Sequence, residues 1–171
     1  MKGSGVLVAS ALDFPTVGVT TPWGKAREAE SLVKLGADQI DIGVQIGWLK
    51  SGEYDRFRDD IRGVVDAAGV PIKVMLELPL LTEEEKQIAV DLAQDAGAAW
   101  LKNASSGSIE RANPESIRYL VERARPGVKV KASGSITDFD QAISLIAAGA
   151  EALGTSAGIA LITGDGSTES Y

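Results

Sequence analysis

Residues 99–103 read Ala99-Trp100-Leu101-Lys102-Asn103, a short apolar run that follows Gly97 and carries a lysine where a buried strand should have none. Strands covered on both faces are near-continuous apolar runs. An ammonium placed in one loses hydration and tends to shed its proton. The neutral amine that results is a nucleophile toward carbonyls. The same pattern recurs in Val128-Lys129-Val130-Lys131-Ala132, and Ile40-Asp41-Ile42 puts a carboxylate in a third such run. Whether these charges meet decides both the fold and the chemistry.

Working outward, each run sits between helical patterns. Val6–Ala11 is the first expected strand. Thr20-Thr21-Pro22 opens a helix to about Leu35, since proline at the first helical position loses no hydrogen bond. Strands are then expected at Gln39–Val44, Ile72–Leu76, Ala99–Lys102, Val128–Ala132 and, more weakly, Ala152–Gly154. Helices are expected from Gly52 to Ala68, behind a Thr82/Glu85 capping box to about Ala96, behind Asn113-Pro114 to about Arg125, behind Thr137 or Asp138 to Gly149, and from Ala157 to Ile162. Gly36, Gly69, Gly97, Gly127 and Gly149 punctuate the series, each followed by an apolar run. Repetition of this kind implies a parallel α/β sheet with right-handed crossovers, whose sites lie at the C-terminal strand ends.

The 171 residues fit one domain, expected over 1–163, with a mobile tail over 164–171. A formal charge of −7 gives no basic footprint for nucleic acid or an anionic membrane. No apolar run is long enough to span a bilayer, and no signal-peptide pattern opens the chain. There is no cysteine and no histidine, which excludes thiol chemistry, Ser-His-Asp catalysis and the usual zinc sites. Lysine and carboxylates are left to carry any reaction.

Side chains alternate along a strand. Asp41 therefore takes the face opposite Ile40 and Ile42. Lys73 and Glu77 share a face, as do Lys129 and Lys131. With helices on the outer face, Asp41, Lys73, Glu77, Lys102 and Lys131 are expected to gather on the inner one. Neighbouring lysines depress one another's pKa, and a nearby carboxylate can shuttle protons. The plainer alternative is a set of buried ion pairs, or lysines whose heads reach solvent at strand ends.

The stretches "GADQIDIGVQIGWLKSGEY" (36–54), "VPIKVMLELPLLTEEEK" (70–86), "AGAAWLK" (96–102), "VKVKASGSITDF" (128–139) and "AGAEALGTSAG" (148–158), in this order and spacing, resemble the deoxyribose-phosphate aldolases. These are class I Schiff-base enzymes on a TIM barrel. The resemblance implies that Lys102 forms the Schiff base, that Lys131 lowers its pKa and that Asp41 relays protons. Lys73 and Glu77 would support them, and Tyr171 at the end of "GDGSTESY" would assist proton abstraction. It further implies a phosphate cradle at Gly134, Ser135, Ser156 and Ser106, a small-molecule aldehyde or sugar-phosphate substrate, and a cytoplasmic role in deoxyribonucleotide catabolism. No cofactor or metal is needed, because the iminium is the electron sink.

The chain departs from the family pattern in four places. "KTSTGF" is Lys102-Asn103-Ala104-Ser105-Ser106-Gly107, "ASGGI" is Ala132-Ser133-Gly134-Ser135-Ile136, and "GTSSG" is Gly154-Thr155-Ser156-Ala157-Gly158. All three motifs belong to the phosphate cradle of the family that the chain resembles, where Arg111 is a candidate to compensate. An unphosphorylated acceptor fits these changes as well. The fourth departure is length: "VLVASALDFP" (6–15) matches the family's third strand, so six of the eight strands of the barrel are expected. That leaves two open edges, which self-association into a homo-oligomer would cover. A truncated, non-catalytic barrel remnant is the remaining alternative.

Overall fold

The computed structural model describes residues 3–15 and 17–164. It contains strands β1 (Ala9–Leu12), β2 (Gln39–Gly43), β3 (Ile72–Met75), β4 (Trp100–Lys102), β5 (Lys129–Ser133) and β6 (Ala152–Gly154). The helices are α1 (Pro22–Lys34), α2 (Ile46–Lys50), α3 (Tyr54–Ala68), α4 (Glu83–Asp95), α5 (Pro114–Arg123), α6 (Phe139–Ala147) and α7 (Gly158–Thr163). Every strand pair is parallel, and the sheet order is β1-β2-β3-β4-β5-β6. Among the described residues β6 does not return to pair with β1, so the barrel is incomplete. The expected tail residues 165–171, Tyr171 included, lie outside the described residues.

Local chemistry sets the helix starts. Thr21 accepts a hydrogen bond from the Gly24 amide ahead of Pro22. Thr82 and Glu85 form the expected reciprocal capping box. Asn113 caps α5, and Asp138 rather than Thr137 caps α6, accepting from the Gln141 amide at 2.8 Å. Three boundaries differ from expectation. β1 begins at Ala9, and Val6 and Leu7 before it are exposed rather than packed in the core. Residues 46–50 form α2, five residues that carry too little periodicity to be read. β3 stops at Met75, and Glu77 adopts φ +53°, which ends the alternation that had placed it beside Lys73.

The register shows why one face is apolar and the other charged. Ile40 pairs with Ile72, Ile42 with Val74, Val74 with Leu101 and Leu101 with Val130. These side chains pack against Phe57, Ile61, Val64, Val90, Ile117 and Leu120 of the helices in the core. On the other face Asp41 pairs with Lys73, Met75 with Lys102, and Lys102 with Lys131. Asp41 Oδ2 lies 2.7 Å from Lys131 Nζ, although β2 and β5 stand three strands apart. In a flat sheet that separation is about 14 Å. The sheet is therefore curled, and the charged face is its concave side.

Two glycines test this packing in opposite senses. A Cβ on Gly43, at the end of β2, would lie 2.3 Å from the Asp13 carbonyl oxygen, whereas one on Gly63 in α3 meets nothing within 4 Å. Gly43→Ala is expected to lower the unfolding free energy by about 1–3 kcal/mol through overpacking. Gly63→Ala is expected to raise it by about 0.5–1 kcal/mol. Urea unfolding of the two variants reads both signs.

Candidate active site

The curl gathers four charged side chains from four adjacent strands. Lys102 Nζ is 3.3 Å from Asp41 Oδ2, and Lys131 Nζ is 2.7 Å from the same oxygen. Lys73 Nζ is 3.2 Å from the other oxygen, Oδ1. Asp41, Lys73 and Lys102 are buried and Lys131 is partly so. Lys102 also points a proton at the Met75 sulfur, 3.6 Å away. A cavity of about 270 Å³, lined by Ala9, Ala11, Phe14, Asp41, Lys102 and Lys131 among others, opens onto the cluster.

One carboxylate serves three ammoniums, and the ionisation follows from that imbalance. Burial pushes the Asp41 carboxyl up, but Lys131, Lys102 and Lys73 outweigh burial and hold it below the usual carboxylate range. Burial and then the Lys131 cation push Lys102 down to about 8, against the pull of Asp41 and Glu77. Burial likewise lowers Lys73, opposed by Asp41. A fall from 10.5 to about 8 raises the neutral fraction of the Lys102 amine at pH 7 by about 300-fold. The site can therefore present a free amine to a carbonyl compound, with an acid–base pair one hydrogen bond away.

Glu77 stands apart from the expected gathering: no ion pair among the described residues joins it to the quartet. It is fully buried past the end of β3, where Oε1 accepts from the Ser105 amide at 2.9 Å and Oε2 has no hydrogen-bond partner among the described residues. Burial raises its pKa against the Ser105 hydrogen bonds. Glu77 thus acts on Lys102 through its field and holds the loop after β4.

The residues expected to form a cradle lie beyond the C-terminal ends of β4, β5 and β6. Gly134 takes φ +119°, and a Cβ there would meet the Glu110 carbonyl oxygen at 2.0 Å. Ser135 takes φ +46°, unusual for a non-glycine residue. Its hydroxyl sits where a Cβ on Gly107 would be, only 1.9 Å from that position. The Ser106 hydroxyl is bonded to that of Ser108 at 2.7 Å. Gly134, Ser135 and the 106–107 segment therefore meet, while Ser156 is exposed on the neighbouring turn after β6. Arg111 is exposed and faces Asp138 at 3.5 Å.

Two buried arrangements escaped the sequence reading. Asn103 closes a reciprocal pair with the Ser133 main chain, giving Nδ2 to its carbonyl at 3.0 Å and accepting from its amide at 2.9 Å. This ties the ends of β4 and β5 beside Lys102. Lys25, fully buried on α1, contacts Asp13 at 3.1 Å, Asp60 at 2.7 Å and the Gly43 carbonyl at 2.9 Å. Asp13 in turn accepts from the amides of Gly18, Val19 and Thr20, fixing the loop that begins with Phe14 at the cavity wall. Lys25 falls in a helical pattern among charged residues, so nothing in the sequence marks it as buried. A larger cleft of about 520 Å³, lined by Thr20, Thr21, Pro22, Gln45, Trp48 and Arg56 among others, contains no lysine. Among the described residues no group of acidic side chains is placed to hold a metal ion, and no helix is long and apolar enough to cross a membrane.

No family model matches the chain. Curated relatives do. The chain is 42% identical over 165 residues to a deoxyribose-phosphate aldolase of Methanothermobacter thermautotrophicus, covering 96% of this chain and 73% of that protein. It is 42% identical over 166 residues to one of Enterococcus faecalis, covering 96% and 75%. Among solved structures, an aldolase named QR15 superposes with a TM-score of 0.86 at 35% identity, covering 93% of this chain and 72% of that one. A tetrameric deoxyribose phosphate aldolase from Aeropyrum pernix superposes with a TM-score of 0.83 at 29% identity, covering 93% and 68%.

The depressed Lys102 pKa has a signature in stability. The unfolded chain keeps that proton up to about 10.5, whereas the folded protein releases it at about 8. Between these pH values the unfolded state binds more protons, so stability rises with pH. The expected contribution is about 3 kcal/mol across the window. Urea unfolding from pH 7 to 10.5 should show this rise in the wild type and a smaller one in Lys102→Met.

Proposed function

The chain belongs to the deoxyribose-phosphate aldolase family, and from that membership we infer that it is a class I aldolase, a carbon–carbon lyase that reversibly cleaves 2-deoxy-D-ribose 5-phosphate to acetaldehyde and glyceraldehyde 3-phosphate. The observation that carries the reading is the Lys102 amine, buried at the floor of a cavity and 3.3 Å from a carboxylate oxygen that Lys131 also holds at 2.7 Å.

In the direction of synthesis, the neutral Lys102 amine attacks the carbonyl carbon of acetaldehyde. Loss of water from the carbinolamine leaves an iminium, which acidifies the adjacent methyl group. Asp41 and Lys131 pass the proton from that carbon through their shared hydrogen bond, directly or through a water. Tyr171 is the candidate to assist. The enamine carbon then attacks the acceptor aldehyde, and water releases the product from Lys102. No cofactor or metal is required, since the protonated imine takes up the electron pair. Gly134, Ser135, Ser106 and Ser156 are assigned to the phosphate of the acceptor, held by main-chain amides in the manner of anion-binding turns.

We place this enzyme in the cytoplasm as one domain over residues 1–163, and as a homo-oligomer. Association is supported by the β1 and β6 edges, unpaired among the described residues, and by exposed apolar side chains on α6 (Phe139, Ile143, Ile146) and α7 (Ile159, Ile162). A second reading, an unphosphorylated acceptor, is favoured by Ser135, whose side chain occupies the space beside Gly107.

Borohydride reduction in the presence of acetaldehyde, followed by peptide mass spectrometry, is expected to leave a two-carbon adduct on Lys102. Lys102→Ala should lose both the adduct and turnover while keeping its circular dichroism spectrum. Normal turnover by that variant would sink the assignment. Comparing rates on deoxyribose and its 5-phosphate separates the two acceptors: the phosphate is expected to be strongly preferred, and equal rates would support the second reading.

A further inference from the structure

The Schiff-base reading uses Lys102, Lys131 and Asp41 and gives Lys73 only an undefined supporting place. Yet Lys73 stands directly opposite Asp41 in the sheet register, whereas Lys102 and Lys131 reach Asp41 from strands farther along. It takes the oxygen that the other two do not: Oδ1 lies 3.2 Å from Lys73 Nζ, while Oδ2 is divided between Lys102 and Lys131. Lys73 is buried, its ammonium makes no well-aligned hydrogen bond among the described residues, and the Trp100 ring beneath it is 5.9 Å away. A buried ammonium so thinly supported is costly to keep unless the charge itself is used.

We propose that Lys73 is a positioning residue for the aldolase reaction: by engaging Oδ1 it turns Asp41 so that Oδ2 is the oxygen presented to Lys102 and Lys131, and its charge competes with Lys102 for that carboxylate. The inference rests on the Schiff-base reading of Lys102. The charged groups that bear on Lys102 directly are Lys131 from β5, Asp41 from β2 and Glu77 just beyond β3, while Lys73 from β3 reaches it through Asp41. Removing Lys73 leaves the whole Asp41 charge to the remaining two lysines. A carboxylate less shared favours the protonated form of Lys102.

The test is the pH profile of borohydride trapping with acetaldehyde on the full chain. Wild type is compared with Lys73→Met, which keeps the length of the side chain without its charge, and with Lys73→Gln, which can still donate to Oδ1. The midpoint for adduct formation on Lys102 is expected to rise by about one pH unit in the Met variant, so that trapping at pH 7 falls about 10-fold. The Gln variant should show the same direction of change with a smaller loss of kcat. Lys73→Cys adds a rescue. The chain has no cysteine, so 2-bromoethylamine applied in urea has a single thiol to alkylate, and refolding restores an ammonium at position 73. The aminoethylated protein should recover most of the wild-type profile, which a purely structural role would not produce. Profiles superimposable on wild type in the folded variants would overturn the proposal while leaving Lys102 as the Schiff-base residue. Absence of a wild-type adduct on Lys102 would overturn the Schiff-base reading and this inference with it.

Discussion

A single carboxylate, Asp41, faces three lysines inside a curled sheet, and the rest of the site follows from that shortage of negative charge. Buried ammoniums are tolerated only when paired or when they give up their protons. Lys131 has the shortest contact with Asp41, at 2.7 Å, and Lys73 has an oxygen to itself. Lys102 shares the oxygen that Lys131 already holds, at the longer distance of 3.3 Å. Its remaining contact is the weakly accepting Met75 sulfur, at 3.6 Å. It is therefore the amine the cluster can least afford to keep charged, and it is also one that lines the cavity. Nucleophilicity here is a property of the arrangement rather than of any one lysine.

The same physics runs with opposite sign on the other side of β2. Around Lys25 two carboxylates, Asp13 and Asp60, share one ammonium. Here the surplus is negative, and burial raises the Asp60 pKa against the attraction of Lys25. Asp13 escapes that fate. Lys25 and the amides of Val19 and Gly18 outweigh its burial and hold it low. The two knots are joined through the backbone, since Lys25 also takes the carbonyl of Gly43, two residues beyond Asp41. One knot is buried and holds the β1–α1 loop, with Phe14, against the cavity; the other faces the cavity and supplies the amine.

The sheet was legible because its strands are apolar runs between glycine-stopped helices, and because a period of two sorts the charges onto one face. That reasoning places Asp41, Lys73, Lys102 and Lys131 together, as the register bears out. It fails at Glu77 for a stated reason. The alternation holds only while the strand lasts, and β3 ends two residues earlier, with Glu77 at positive φ. Lys25 and Asp60 stayed invisible because each sits on a helix among other charged residues, where burial is decided by tertiary packing and not by local pattern. Asn103 could be read only as a departure from "KTSTGF". Its use, locking the ends of β4 and β5 through Ser133, is a contact between strands 30 residues apart in the chain.

An incomplete barrel need not be an incomplete site. Asp41, Lys73, Lys102 and Lys131 come from β2, β3, β4 and β5, and β1 and β6 flank these four strands on either side. Each of the four therefore has a hydrogen-bonded neighbour on both edges, and the register that brings Asp41 to Lys131 does not depend on closure. What the open edge changes is the wall of the cavity. Ala9 and Ala11, small inner-face residues of β1, are exposed together with Phe14. In a closed barrel such positions are packed by side chains from neighbouring strands. The two lysines that share Asp41 with Lys102 come from β3 and β5, on either side of β4. The cation that most depresses Lys102, Lys131, is thus the least buried of the four, while Lys102 itself sits on β4 with at least two strands on either side.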